Sequence, residues 1–346
     1  MSQISIHNLA EFNRYFKSQK QDPNQVRKVR TLFYKQNFSL DGNNRRIPED
    51  LLYIARHNIK TEFLTLKQRL DSKIDGATKL LFKTDDGHAV EAVILRIATG
   101  RVSLCLSSQA GCKFSCAFCA TGTLGFKRNL TTDEIADQII HAQRLLKVEG
   151  RSIRNIVFMG MGEPFDNFET LCQAITLLTG PESFNFAPVN IMVSTCGLAD
   201  KLVQFAELFP NVNIALSLHA VSETTRVELM PVNQLHSLDK LKRALLKASA
   251  YSTRQVMLEY LLFKGINDSE EDVLRLVAFC KGLNVRINLI AYNRTSADDQ
   301  FEAVSRKEMF KFKTNLEKNG LTVTIRYSLG EDIAAACGQL ACQDNE

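Results

Sequence analysis

Three cysteines, Cys112, Cys116 and Cys119, stand in the pattern C-x3-C-x2-C inside the stretch VSLCLSSQAGCKFSCAFCATGTLGFKR (102–128). A fourth, Cys105, lies in the β-like run Val102–Leu106 just ahead of them. Three thiolates this close in sequence can converge on one side of a loop and hold an iron–sulfur cube. Three ligands leave one iron of a four-iron cube open to a small molecule. S-adenosylmethionine (SAM) could bind there through its amino and carboxylate groups and receive an electron. A structural zinc site wants four ligands, and no further Cys or His follows closely; His141 falls on a predicted helix. Inert buried cysteines are common, but three in eight positions interleaved with Lys113, Phe114 and Phe118 make a poor core pattern.

The elements that must position this loop alternate. Strand-like runs at 102–107, 155–160, 189–195, 212–218, 256–263, 285–292 and 322–327 are separated by helix-like runs at 131–148, 167–179, 198–208, 236–250, 269–282 and 305–318. Repeated βα units predict a parallel sheet with outer helices, here an open, partial (β/α) barrel. In such folds functional groups gather where strands end. The cysteine loop follows the first strand, Gly160–Pro164 (GMGEP) the second, Ser194 the third, Ser217 and His219 the fourth, and Asn293 the sixth.

Ahead of the barrel, residues 1 to about 75 read as helical, with apolar residues at three-to-four spacing in NLAEFNRYFKSQ and PNQVRKVRTLFYKQ. Pro48 marks a helix start before Glu49 and Asp50. Residues 78–107 switch to strands separated by DDG and ATG turns, a β-rich connector. The division expected is 1–77 helical accessory, 78–101 connector, 102–329 barrel and 330–346 C-terminal segment.

The 346 residues carry a net charge of +5, unevenly placed. Residues 1–90 hold sixteen Lys/Arg against ten Asp/Glu, whereas 91–346 hold twenty-seven against twenty-eight. In the second helical run Val26, Val29, Leu32 and Phe33 form one face, with Arg27, Lys28, Arg30 and Lys35 mostly off it. That spacing suits phosphate contacts, and equally a solvated basic face. No apolar run approaches the roughly 20 residues that span a bilayer, and the N-terminus shows no secretory pattern. Nine cysteines, an odd number, fit a reducing cytoplasm better than a disulfide scaffold.

The string SLCLSSQAGCKFSCAFCATG resembles the RlmN/Cfr branch of the radical-SAM superfamily. MGMGEP at Met159–Pro164, VST at Val193–Thr195, SLHA at Ser217–Ala220 and DIAAACGQL at Asp332–Leu340 extend the resemblance over roughly residues 85 to 341. It implies an α/β radical-SAM partial barrel whose Cys112, Cys116 and Cys119 hold a [4Fe-4S] cluster. SAM contacts would come from Gly162, Glu163, Ser194, Ser217, Leu218, His219 and Asn293, most of which alone would read as turn residues, helix caps or structural side chains.

The resemblance further implies a cysteine that becomes methylated, Cys337, with Cys105 as its partner. In isolation Cys337, set among alanines, would be a small buried residue. One SAM methylates Cys337; a second yields a 5′-deoxyadenosyl radical that takes a hydrogen from that methyl group. The carbon radical adds to adenine, a base deprotonates the adduct, and Cys105 releases the product as a Cys105–Cys337 disulfide. Glu91 matches the position of that base, with a one-residue shift relative to Cys105.

The implied substrate is C2 of an adenosine in 23S rRNA at the peptidyl-transferase centre, and the adenosine 3′ to the anticodon in some tRNAs. An electron donor such as flavodoxin, a monomeric state and no membrane association go with it. Methylation at C8 of the same rRNA base is the close alternative, and a non-catalytic iron–sulfur RNA-binding protein the distant one. The segment Tyr292-Asn293-Arg294-Thr295 lacks the proline that commonly follows this asparagine.

Overall fold

The computed structural model of the chain describes residues 3–35, 38–41, 46–295 and 300–342. It begins with a small unit in which β1 (Ile4–Ser5) and β2 (Ile59–Lys60) pair in parallel around helices α1 (Leu9–Ser18), α2 (Pro23–Lys35) and α3 (Glu49–Asn58). The apolar faces expected of α1 and α2 are buried: Phe12, Phe16, Val26, Val29, Leu32 and Phe33 share one core. That core is not closed by the helical unit alone. Ala136, Ile140 and Leu177 from two outer helices of the barrel complete it.

Two expectations for this region are corrected. The helical reading holds only to Asn58, because Leu64–Asp71 is a strand, β3. Its sequence LTLKQRLD alternates apolar and polar residues, and alternate side chains are covered, the period of a half-buried strand. Arg30 does not lie on a basic outer face. It is buried, donates from Nε to the Ile6 carbonyl at 3.2 Å and stacks over the Tyr34 ring. Arg27 is exposed but ion-paired to Glu182 of the barrel at 2.5 Å, leaving Lys28 and Lys35 as the exposed cations of that helix.

The strands β3, β4 (Ala77–Thr84), β5 (Ala89–Arg96) and β6 (Val102–Cys105) run antiparallel in sequence. The β-rich connector is therefore one edge of the main sheet. From β6 the sheet turns parallel through β9 (Asn155–Phe158), β10 (Ile191–Thr195), β11 (Asn213–Ser217), β12 (Val256–Leu262), β13 (Val285–Ala291) and β14 (Val323–Arg326). Among the described residues the order is β14-β13-β12-β11-β10-β9-β6-β5-β4-β3, ten strands with β14 and β3 at the edges, so the barrel is open.

Helices α5 (Thr132–Val148), α6 (Phe168–Thr179), α7 (Ala199–Leu208), α9 (Leu238–Tyr251), α10 (Glu270–Cys280) and α11 (Arg306–Lys318) cover the sheet where expected. A capping box at Thr131 and Glu134 starts α5. The short α8 (Glu223–Leu229) was not foreseen. Within the cysteine loop, β7 (Gln109–Ala110) pairs with β8 (Arg128–Asn129), and α4 (Ala120–Thr123) follows Cys119. No helix among the described residues is long and apolar enough to cross a membrane.

Phe33 is fully buried in the shared N-terminal core. Phe33→Ala should therefore cost about 3–5 kcal/mol, read as a lower urea midpoint in one transition reported by both helical unit and sheet. An N-terminal unit that melts early while the barrel midpoint stays unchanged would contradict the shared core.

Candidate active site

The cysteine loop is pinned at its base by the β7–β8 pair. Cys112 N–H donates to Gly125 O at 3.2 Å and Lys127 N–H to Ala110 O at 2.9 Å. Gly111 has φ +76°, and a Cβ there would lie 1.9 Å from Gly125 O, so only glycine closes this neck. Fully buried Gln109 joins the neck to the GMGEP loop: its Oε1 accepts from Glu163 N–H at 2.9 Å and its Nε2 donates to Asp166 at 2.9 Å. Gly162, at φ +94°, permits that approach, since a Cβ would meet the Gln109 side chain at 2.5 Å.

Cys112, Cys116 and Cys119 line one side of a cavity of about 150 Å³. Gly162, Glu163, Ser194, Ser217, His219 and Cys337 line it too. Burial pushes the Cys112 thiol up to about 12, and burial with the neighbouring cysteines pushes Cys116 up as well. Protein groups alone thus keep these sulfurs protonated, and a bound cationic centre is what would hold them as thiolates. Among the described residues no three His, Cys, Asp or Glu groups are spaced for a single shared metal ion. A cube instead takes each sulfur on a different iron. The donor set fits a cluster on these grounds.

Glu163 is buried and accepts from Phe165 N–H at 3.0 Å and Cys196 N–H at 2.7 Å. Burial raises its pKa against those hydrogen bonds. A cation entering the cavity would favour its charged form. His219 has a left-handed backbone, φ +55°. Asn267 secures it, donating to the carbonyls of His219 and Leu261, both at 2.7 Å. The Nδ1 of His219 accepts from Leu261 N–H at 3.1 Å, so the neutral ring carries its proton on Nε2. Burial and Arg226 push its pKa down to about 3, which keeps the ring a neutral donor.

Arg226, fully buried, donates to Leu218 O, Ser217 O, Cys196 O and the Asn233 side chain, tying the ends of β10 and β11 together. Sequence reasoning missed Gln109, Arg226 and Asn267. Gln109 stands in the quoted cysteine string but its partners Glu163 and Asp166 are remote in the chain, and Arg226 and Asn267 stand in no motif.

A second cavity, about 780 Å³, lies on the other side of Cys337. Its lining includes Cys105, Val93, Leu95, Met159, Arg326, Tyr327 and Leu340. Cys119, Gly160, Cys337 and Gly338 face both cavities. Cys105 is buried at the end of β6, and burial, followed by Cys337, pushes its thiol up to about 12. All nine cysteines are free thiols.

Three expected residues lie off both cavity walls. Leu218 packs in the main core, with its N–H on Glu259 O and its carbonyl on Arg226. Asn293 donates to Cys337 O at 3.2 Å and to Ser328 Oγ at 2.8 Å, holding the C-terminal segment. Glu91, 1 % exposed, pairs with Lys79 at 3.1 Å and accepts from Cys342 N–H at 3.2 Å.

A radical-SAM fold carrying a three-cysteine loop over the C-terminal strand ends defines the class, and comparison with known proteins agrees. The model of the Radical SAM superfamily matches residues 106–277. A probable RNA methyltransferase of Rhodopirellula baltica is 44% identical over 94% of this chain and 84% of its own length. Probable dual-specificity RNA methyltransferases named RlmN are 39% identical in Thermotoga neapolitana, over 83% of this chain and 82% of theirs, and 33% identical in Staphylococcus aureus, over 99% and 94%. The crystal structure of a radical SAM methyltransferase from Sphaerobacter thermophilus superposes with a TM-score of 0.91 at 33% identity, covering 98% of this chain and all of that one. The chain belongs to the RlmN/Cfr family of radical-SAM RNA methyltransferases. A [4Fe-4S] cluster and SAM are the cofactors that membership implies.

Glu163→Gln keeps the side-chain shape but removes the charge that would meet an ammonium group. SAM affinity of the cluster-loaded protein should fall about ten- to hundredfold, the worth of one charge-assisted hydrogen bond, measured by equilibrium dialysis. Unchanged affinity would remove Glu163 from the SAM site.

Proposed function

We propose that this chain methylates C2 of adenosine in 23S rRNA, and the adenosine 3′ to the anticodon in tRNA, through an S-methylcysteine at Cys337. The observation that carries this reading is the position of Cys337, which lines both cavities, with Cys105 on the wall of the second only. The smaller cavity is assigned to the cluster and SAM, the larger to the target nucleoside. Cys112, Cys116 and Cys119 hold the cluster, and Glu163, Ser194, Ser217 and His219 orient SAM. Bound there, the cofactors supply the methyl group and the hydrogen-abstracting radical, two SAM per turnover, with electrons from a flavodoxin-like donor.

The chain's own residues do the rest. Cys337 accepts the methyl and presents it to the second cavity. Radical addition leaves an adduct with one unpaired electron. That electron returns to the one-electron donor system, and the C2 proton leaves to a base, for which Glu91 is proposed. This role requires the segment at Cys342 to lift from it, because Cys342 N–H now occupies its Oε2. The Cys105 thiolate then attacks the Cys337 sulfur. The S–S bond forms, the carbon–sulfur bond breaks and its pair stays on the carbon, which takes up a proton to complete the methyl group. A disulfide results, and the donor must reduce it before the next turnover. A target at C2, rather than C8, is supported by the RlmN names of the relatives.

The two cysteines should separate on substitution. Cys105→Ala should still accept methyl at Cys337 and then stall with RNA covalently attached. Cys337→Ala should carry no S-methylcysteine and no RNA. Denaturing gels of each protein, with and without nuclease, read the difference. RNA on Cys337→Ala but not on Cys105→Ala would reverse the roles, and two active variants without trapped RNA would end the covalent reading.

A further inference from the structure

The walls around Cys337 contain an ion pair for which the steps above have no use. Arg326, the last residue of β14, lines the larger cavity beside Cys337; burial pushes the Cys337 thiol up, and the nearby guanidinium, as cation and donor, works against that rise. Arg326 Nη1 lies 3.6 Å from Glu259 Oε1 and 3.2 Å from the Met159 sulfur. Glu259 sits mid-strand on β12, buried, and lines the smaller cavity, whereas Arg326 lines the larger. A polar row fixes the carboxylate: Asn288 Nδ2 faces it at 3.4 Å, and Thr324 Oγ1 donates to Asn288 Oδ1 at 2.9 Å. The charged and titratable groups acting on Cys337 are therefore Arg326 from β14, Glu259 from β12 and Cys119 from the cluster loop, with Cys105 of β6 in the same wall.

We propose that Arg326 is a shared clamp, holding the Cys337 sulfur as a thiolate and passing to Glu259 when that sulfur becomes a thioether. The proposal rests on the carrier role of Cys337 given above. In the methyl transfer the thiolate's lone pair forms the new S–CH3 bond. The sulfonium–methyl bond breaks and its pair stays on the departing thioether. One anion and one cation become two neutral sulfurs, so Arg326 loses its anionic partner in that step. A thioether is a weak acceptor, and the Arg326 side chain, 28 % exposed, is left without its anionic partner. Glu259, already in reach, takes the charge without a large movement, and the methylated side chain is released toward the larger cavity. Arg326 and Glu259 are positioning residues in this scheme.

The test uses full-length, cluster-loaded protein without SAM, alkylated with iodoacetamide at one pH below the thiol's own, with the Cys337 rate read by peptide mass spectrometry. A tenfold loss of thiolate costs about threefold in rate, because nucleophilicity rises with basicity at a slope of about 0.4–0.5. Arg326→Gln should therefore slow Cys337 about threefold or more, Arg326→Lys should keep most of the rate, and Glu259→Gln should raise it about threefold. Opposite signs cannot come from a loosened fold, and should Arg326→Gln not fold, the Arg326→Lys and Glu259→Gln pair still decides. Wild-type rates in all variants, or slowing in Glu259→Gln, would overturn the clamp. A parallel incubation of wild-type protein with SAM reads methyl at Cys337. Its absence would refute the carrier role, whereas equal alkylation rates with methyl present would refute the clamp alone.

Discussion

One sulfur must serve two cavities, and the C-terminal segment is fastened so that it can. Ala120 N–H donates to Gly338 O at 2.7 Å and Thr121 Oγ1 to Leu340 O at 2.6 Å, joining the segment to α4, directly after the last cluster cysteine. Asn293 holds Cys337 O from the end of β13, and Gln339 Nε2 donates to Arg294 O at 2.7 Å. Lys79 reaches Ala334 O from the antiparallel edge of the sheet. Three parts of the chain remote in sequence thus set one short loop. The partition between cavities follows from it, because Cys337 and Gly338 are part of the shared wall, with Cys119, Thr121, Met159 and Gly160.

The smaller cavity is built for charge in a dry place. Burial pushes the pKa of Glu163 up and raises the thiols of Cys112 and Cys116. The same low-dielectric surroundings strengthen any interaction with a cationic cluster or an ammonium group. Arg226, with burial lowering it to about 10, spends its hydrogens on carbonyls rather than on ligand. Its role is to fix the strand ends that carry Ser217 and His219. The sheet itself supplies the rest of the rigidity, since functional groups on strand ends inherit the register of seven parallel strands.

Much of this was legible in the sequence where local pattern decides structure. The runs of β9 to β13 are apolar because both faces are covered, and their limits fall within two residues of the observed strands. Motif residues at strand ends, Glu163, Ser194, Ser217 and His219, meet in one cavity as expected. β3 was missed because its polar alternate residues resemble an amphipathic helix over a short window. Arg30 reads as a surface cation, yet its aliphatic stem and the Ile6 carbonyl draw it inward. The Arg326–Glu259 pair was invisible because the two residues lie far apart in the chain, and only the sheet order brings β12 and β14 to either side of β13.

The central claim is that one methyl group passes through Cys337 on its way to RNA. Pulse–chase labelling tests it most directly. Cluster-loaded protein is first given SAM with a deuterated methyl group, freed of small molecules, then given unlabelled SAM, reductant and RNA for a single turnover. The account predicts that label appears on the peptide containing Cys337 before RNA is added, and leaves it for the methyl group of the RNA product. Methylated RNA whose carbon derives wholly from the unlabelled SAM, with Cys337 unmodified throughout, would contradict it.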